Sequence, residues 1–287
     1  MTADVLAAIR REMNTFSKGQ KRIANFILES YDKAAFMTAS RLGQTADVSE
    51  STVVRFAAEL GYDGYPAMQR ALQEILRNRL TSVQRIEAAN GQLANQDVVS
   101  MVMQADINML RMTNELLDRN MLNAAVDAIV KAKNVFIIGV RSSAAIATFL
   151  DFYLRAVLPN IRLVSATATS EMLEQLMHIG KDDVVIGISL PRYSSRTVKA
   201  LSFCRNCGST IVAITDNVQA PIAKFADYTL LAKSDMVSFV DSLVAPLSVV
   251  NALVVAVSRK LGKEFSQNME DLEKIWAEYD VYERIDL

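Results

Sequence analysis

Ser49, Ser51, Thr52 and Arg55 bring three hydroxyls and a guanidinium into the short segment SESTVVR. Short hydroxyl side chains approach phosphate oxygens and base edges closely, and an arginine one turn later reaches a guanine edge or a phosphate. A second group of polar residues lies downstream. Gly139-Val140-Arg141-Ser142-Ser143 follows one apolar run, and Ser189-Leu190-Pro191-Arg192-Tyr193-Ser194 follows another. Backbone N–H groups and serine hydroxyls at a helix start hold a phosphate or a carboxylate, and arginines add bidentate hydrogen bonds to either.

Catalytic chemistry is poorly supplied. The one histidine, His178, precedes Gly180 near an expected helix end, with no glutamate or serine arranged beside it as an acid–base or nucleophilic pair. Cys204 and Cys207 form a C-x-x-C, but near the end of an expected helix rather than in a loop that opens one, and no second C-x-x-C accompanies them. No catalytic residue, metal or cofactor is therefore expected.

The elements that position these residues follow from spacing. Ser49 is placed to cap a helix from Glu50 to about Leu60. On it Val53, Phe56, Ala57 and Leu60 share an inward face, and Ser51, Thr52, Arg55 and Glu59 an outward one. The preceding helix, Ala39 to Ala46, is capped by Thr38 and offers Arg41 to a phosphate. Asp47 occupies the turn, where the backbone needs a positive φ that aspartate tolerates better than most residues. Two short helices and a tight turn make a helix-turn-helix, which points to double-stranded DNA. Lys18 and Lys21, on a helix capped by Ser17, add salt-dependent phosphate contacts. Gly61 is the expected helix stop, and Pro66 suits the first turn of the next helix.

Residues 1–80 thus read as all-α, and residues 81–120 as a helical connector with a polar loop at Gln92–Asp97 and a helix from Val98 to Leu117. Residues 121–287 read as α/β after a helix from Met121 to Ala132. Strands are expected at Val135–Val140, Arg162–Ser165, Val184–Ser189, Thr210–Thr215 and Tyr228–Leu231. Helices are expected near Ala144–Val157, Glu171–His178, Arg196–Cys207 and Pro221–Phe225. Apolar strands interleaved with helices imply a parallel sheet covered on both faces, with ligands at the strands' carboxyl ends. Thr167, Thr169 and Ser170 extend that end; Ser238 and Asp241 precede an apolar run, Leu243–Val257. This run is shorter than the ~20 residues of a bilayer span and contains Pro246 and Asn251, so it reads as a buried helix.

Bulk properties set limits. The 287 residues carry a net charge of −1, divided as +2 over residues 1–80 and −3 over the remainder. The chain is no polycation. Two cysteines exclude a disulfide framework, and the first residues lack the basic start and apolar run of a signal peptide, so the cytoplasm is the expected compartment and no membrane partner is expected.

The segment Phe16–Gly64, with SKGQKRIANFIL and TASRLGQTADVSESTVVRFAAELGYDG, closely resembles the DNA-binding domain of RpiR-type bacterial regulators. The later strand-turn-helix segments resemble the SIS (sugar isomerase) domain that those regulators carry. The resemblance covers nearly the whole chain. It implies a five-stranded parallel sheet in a flavodoxin-like three-layer arrangement, and a ligand site at Arg141, Ser142, Ser143, Ser189, Arg192, Tyr193 and Ser194. Arg141 stands in place of the second glycine of G-x-G-x-S. Pro191 and Arg192 replace the second serine and the glycine of S-x-S-G-x-T. Two arginines at one end of the sheet suit an anionic metabolite: a phosphosugar, an acidic sugar or another organic acid. The expected assembly is a homodimer or homotetramer on a DNA operator. The alternative is a sugar-phosphate isomerase or lyase with an appended helical domain, which the missing acid–base partners disfavour.

Overall fold

The computed structural model describes residues 5–79, 97–166, 168–236 and 240–283. The chain divides into two compact units, residues 1–84 and 85–287. The first unit contains α1 (Val5–Glu12), α2 (Lys18–Glu29), the single turn α3 (Tyr31–Ala34), α4 (Ala39–Thr45), α5 (Glu50–Glu59) and α6 (Gly64–Arg79). Side chains end these helices where the spacing predicts. Ser17, Thr38 and Ser49 each accept a hydrogen bond from a backbone N–H of the first turn. Gly61, at φ 85°, follows α5 in the left-handed conformation that glycine adopts at least cost. The core joins Leu6, Ile9, Phe16, Ile23, Ile27, Leu42, Val53, Phe56, Met68 and Leu72. Phe16 meets Phe56 edge to face with ring centroids 5.1 Å apart. Tyr65 and Gln69 both donate to the carbonyl of Met37, at 2.7 and 2.8 Å, which ties α6 to the loop before α4.

In the second unit α7 (Val98–Leu116) and α8 (Arg119–Lys131) precede a five-stranded sheet. The sheet comprises β1 (Val135–Gly139), β2 (Ile161–Val164), β3 (Val184–Ile188), β4 (Thr210–Thr215) and β5 (Tyr228–Leu231). All pairings are parallel, in the order β2-β1-β3-β4-β5. Alternation along the strands builds two cores. Val135, Ile137, Val184, Ile186, Val212 and Ile214 face α8, α9 (Ser143–Val157) and α12 (Val244–Leu261). Phe136, Ile138, Val185, Ile211 and Ala213 face α10 (Thr169–Gln175) and α11 (Ser195–Asn206). Fully buried strands read as continuous apolar runs because both faces are covered.

Three details differ from the sequence reading. The helix expected at Pro221–Phe225 is one 3₁₀ turn, Ala223–Phe225; too few residues separate Pro221 from β5 for an α-helix. The helix expected to reach His178 ends at Gln175, leaving His178 exposed. A final helix, α13 (Lys263–Glu278), is absent from the expected elements; it buries no residue fully, but Phe265 packs against the core of this unit. The apolar run at Leu243–Val257 lies in α12, which is long and apolar enough by composition to cross a membrane. Ala245, Val249, Val250, Leu253 and Val257 are nonetheless buried within this unit, which makes α12 its core helix. Thr167, Ser238 and residues 81–96 lie outside the described residues.

Candidate functional sites

The first site is the outer face of α5. Val53, Phe56 and Ala57 are fully buried behind it, and Leu60 is half-buried. Ser51, Arg55 and Glu59 are exposed, and Thr52 is half-buried. The Ser49 hydroxyl gathers its neighbours, lying 2.9 Å from the Ser51 hydroxyl and 2.8 Å from that of Thr52. The Arg55 Nε donates to the Ser51 carbonyl at 3.3 Å, one turn back. These local bonds order the polar residues over the first two turns of α5.

Gly43 sets how closely α4 approaches the turn. A Cβ there would lie 2.9 Å from the Val48 carbonyl oxygen, a backbone atom that cannot yield without moving the turn. The Val48 N–H in turn donates to the Gly43 carbonyl at 2.8 Å. Asp47 sits at φ 53°, the conformation expected of the turn. Its carboxylate accepts from Arg22 of α2 at 2.7 Å.

A shallow cleft of about 460 Å³ runs between the start of α2 and α5, lined by Ser17, Gly19, Gln20, Arg22, Ser49, Thr52, Arg55 and Glu59 among others. Gln20 closes one side by donating to the Glu59 carboxylate. Lys18, Lys21 and Arg41 are exposed but do not line the cleft. Sequence reasoning passed over Arg22, whose signal was its position one helical turn after Lys18.

The second site lies at the carboxyl ends of the strands. From β1 the chain crosses to β2 on one side and later to β3 on the other, so the strand order reverses there, which is where sheets of this kind bind ligands. Gly139 and Ile188 pair as the last residues of β1 and β3, so the loops that follow leave the same edge. A Cβ on Gly139 would lie 2.6 Å from the Ser143 carbonyl and 2.8 Å from the Ala147 Cβ, so only glycine lets α9 start this close to its strand.

Arg141 occupies φ 58°. It stands in for a glycine in sequence while keeping a backbone conformation natural to glycine, at a cost of about 1–2 kcal/mol. Ser142 has helical dihedrals, makes no side-chain cap bond and is exposed, whereas Ser143 is buried.

A cleft of about 280 Å³ opens here, lined by the ends of β1 and β2, by Ala144 and Thr148 of α9, and by Arg141 and Arg196. No carboxylate lines it among the described residues. The expected partner of Arg141 was Arg192. Arg192 is exposed and does not line this cleft; Arg196, on the first turn of α11, does. Ser189, Tyr193 and Ser194 brace their own loop. The Ser189 Oγ accepts from the Ser194 N–H at 3.3 Å, and Ser194 caps α11 by accepting from the Arg196 N–H at 3.2 Å. Tyr193 donates to the buried Asp216 at the end of β4 at 2.7 Å. The loop thus delivers Arg196 to the cleft, a role visible only once the cap at Ser194 is known.

Cys204 is fully buried in α11 with its thiol pushed up to about 12 by burial, and Cys207 is the residue that ends the helix. No group of histidine, cysteine and carboxylate side chains suited to a metal ion occurs among the described residues.

Comparison with known proteins bears on both sites. Residues 3–79 match the helix-turn-helix domain of the rpiR family, and residues 128–256 match the SIS domain. The chain is 25% identical over 282 residues to the HTH-type transcriptional regulator HexR of Escherichia coli K12, covering 96% of this chain and 95% of that protein. The sugar isomerase domain of an RpiR transcription factor from Sphaerobacter thermophilus superposes with a TM-score of 0.60 at 27% identity, over 62% of this chain and 99% of that one. The Vibrio vulnificus NanR protein, solved in complex with ManNAc-6P, has a TM-score of 0.59 at 21% identity, over 96% of this chain and 98% of that one.

Proposed function

We propose, from the premise that this chain belongs to the RpiR-type transcriptional regulators with a SIS domain, that it reads an operator through α5 and senses an anionic metabolite at the carboxyl end of its sheet. It is a regulator and not an enzyme. The observation that carries the reading is the two-sidedness of α5: Ser51 and Arg55 are exposed while Val53, Phe56 and Ala57 are buried behind them. In this reading residues 1–80 read DNA, residues 81–120 connect, and residues 121–287 sense and oligomerise in the cytoplasm. Two protomers present two copies of α5 to successive major grooves, which calls for an approximately palindromic site with half-sites about 34 Å apart or a multiple of that. Ser49, Ser51, Thr52 and Arg55 meet base edges and phosphates; Arg41, Lys18 and Lys21 add phosphate contacts.

The effector is an anion held by Arg141 with the Ser142 and Ser143 segment, with Ser189, Arg192, Tyr193 and Ser194 shaping the neighbouring loop. Support for a phosphorylated ligand comes from the two arginines of the cleft and from NanR, a protein of the same fold complexed with ManNAc-6P. Acidic sugars and organic acids fit the same charge. The effector changes DNA affinity only to the extent that it binds the DNA-competent and incompetent states unequally.

The test is a gel shift of the full chain on the DNA upstream of its own gene, with and without hexose phosphates, acidic sugars and organic acids. A shift that one of these anions strengthens or abolishes supports the reading. Absence of any shift at low ionic strength overturns the DNA assignment, and a shift that no anion alters overturns the sensing assignment.

A further inference from the structure

The reading face of the helix-turn-helix carries a feature that phosphate contacts alone do not explain. Asp47 lies in the turn between α4 and α5, two residues before the Ser49 cap, and its side chain is 91% exposed. A carboxylate beside a surface meant for a polyanion opposes binding. Its partner is Arg22 of α2, whose Nη1 lies 2.7 Å from the Asp47 Oδ2 and whose side chain remains 47% exposed. Arg22 also lines the cleft with Ser49, Thr52 and Arg55. The guanidinium that α2 brings to the reading face is thus held by a carboxylate from the turn.

Resting on the DNA reading above, we infer that Asp47 is a stand-in for a DNA phosphate. It holds Arg22 in the free protein and yields it to the backbone when a duplex docks. Arg22 then makes a phosphate contact, and Asp47 is left beside the negatively charged backbone. The exchange weakens binding to every duplex alike, because phosphates carry no sequence. A site with the right base edges stays occupied despite this penalty because Arg55 and the hydroxyls add affinity there, whereas a random duplex falls below occupancy; the ratio of the two affinities is unchanged. Asp47 in this way suppresses non-specific occupancy, and Arg22 belongs to the DNA-contacting set. The pair is not needed to hold the turn together: it is exposed, and the turn has its own Gly43–Val48 backbone bond.

The experiment measures fluorescence anisotropy of a labelled mixed-sequence duplex of ~30 base pairs, over a series of salt concentrations long enough to fix the slope. The full chain is compared with Asp47→Asn, Arg22→Ala and the double variant, each checked by thermal melting. Asparagine tolerates the left-handed backbone of position 47, and Asp47→Gly serves if the asparagine variant misfolds.

Asp47→Asn is expected to bind about 2- to 5-fold tighter, the worth of one exposed charge pair. Arg22→Ala is expected to bind more weakly, with a salt slope smaller by about one. The gain from removing Asp47 should shrink in the Arg22→Ala background. Unchanged or weaker binding by a folded Asp47→Asn overturns the inference. So does an equal gain in both backgrounds, which would make Asp47 a repulsive charge acting independently of Arg22. A wild-type chain that binds no duplex at low salt overturns the underlying DNA reading and this inference with it.

Discussion

Two serines stand at the starts of the helices of the two candidate sites, and they do different work. Ser49, before α5, has an extended backbone at φ −73°, ψ 153°, and its side chain folds back to accept the Thr52 N–H. Ser142, before α9, has φ −59°, ψ −34° and makes no such bond. A serine caps only when its own backbone is extended, because only then does the hydroxyl reach the first-turn N–H groups. The reading face of α5 is therefore completed by its own neighbours in sequence. The first turn of α9 keeps an exposed serine beside an arginine at positive φ, at the end of a sheet where ligands bind. In the proposed reading, α5 offers locally braced side chains to DNA, whereas the cleft at α9 is assembled from strand ends far apart in sequence.

The largest effects should come from the two glycines that allow close approach. Gly139→Val sets its Cβ against backbone and a core alanine, and should cost the second unit about 3 kcal/mol or more in urea unfolding. Gly43→Val, whose Cβ meets the Val48 carbonyl, should cost about 2–3 kcal/mol and abolish DNA binding. Either variant melting like the parent would mean that the backbone approach at that site is not required.

Next come the side chains assigned to contact. Arg55→Ala should lose about 1–3 kcal/mol of operator affinity with an unchanged melting temperature. Full affinity in a gel shift would remove Arg55 from the reading surface. In calorimetry of the full chain with an effector found by the metabolite series, Arg141→Ala and Arg196→Ala should each lose about 1.5–3 kcal/mol. Arg192→Ala should lose less. The reverse order would return the anion contact from α11 to the loop before it.

The two serines give the smallest and sharpest contrast. Ser49→Ala should lower stability by about 1 kcal/mol, whereas Ser142→Ala should stay within about 0.5 kcal/mol and act on effector affinity instead. Equal melting losses would erase the distinction between cap and ligand site. Burial also separates the two thiols. At pH 8 Cys204, its thiol raised to about 12, should resist alkylation, while the half-buried Cys207 reacts. The rise in the Cys204 value favours the protonated native state, so this contribution is complete below the unfolded thiol's range and is lost as pH climbs toward 12.

Much of the first unit was legible because its signals span a single helical turn or two. Caps at Ser17, Thr38 and Ser49, the positive φ of Asp47 and the stop at Gly61 follow from residue type and immediate spacing. The three central strands were legible for a related reason: a doubly covered strand is a nearly uninterrupted apolar run, whereas the edge strands β2 and β5 carry Arg162 and Thr229 and were marked by their β-branched and apolar neighbours. What escaped was set at a distance. Arg22 meets Asp47 across 25 positions of sequence, and Arg196 lines a cleft with β2 residues some thirty positions earlier. Helix α13 escaped although Phe265, Met269, Leu272 and Trp276 recur at helical spacing, a legible signal beyond the last element the sequence reading drew.

By itself the sequence determined the two-part architecture, the inward and outward faces of α5, and the alternation that sorts strand residues between two cores. Those are consequences of chain chirality and of the helical and extended repeats, which need no knowledge of what lies opposite. Tertiary structure alone decided which arginine shares the cleft with Arg141 and which carboxylate holds Arg22. Each of those outcomes depends on distances between elements set by packing against glycine and core residues, and the order of residues along the chain does not encode such distances directly.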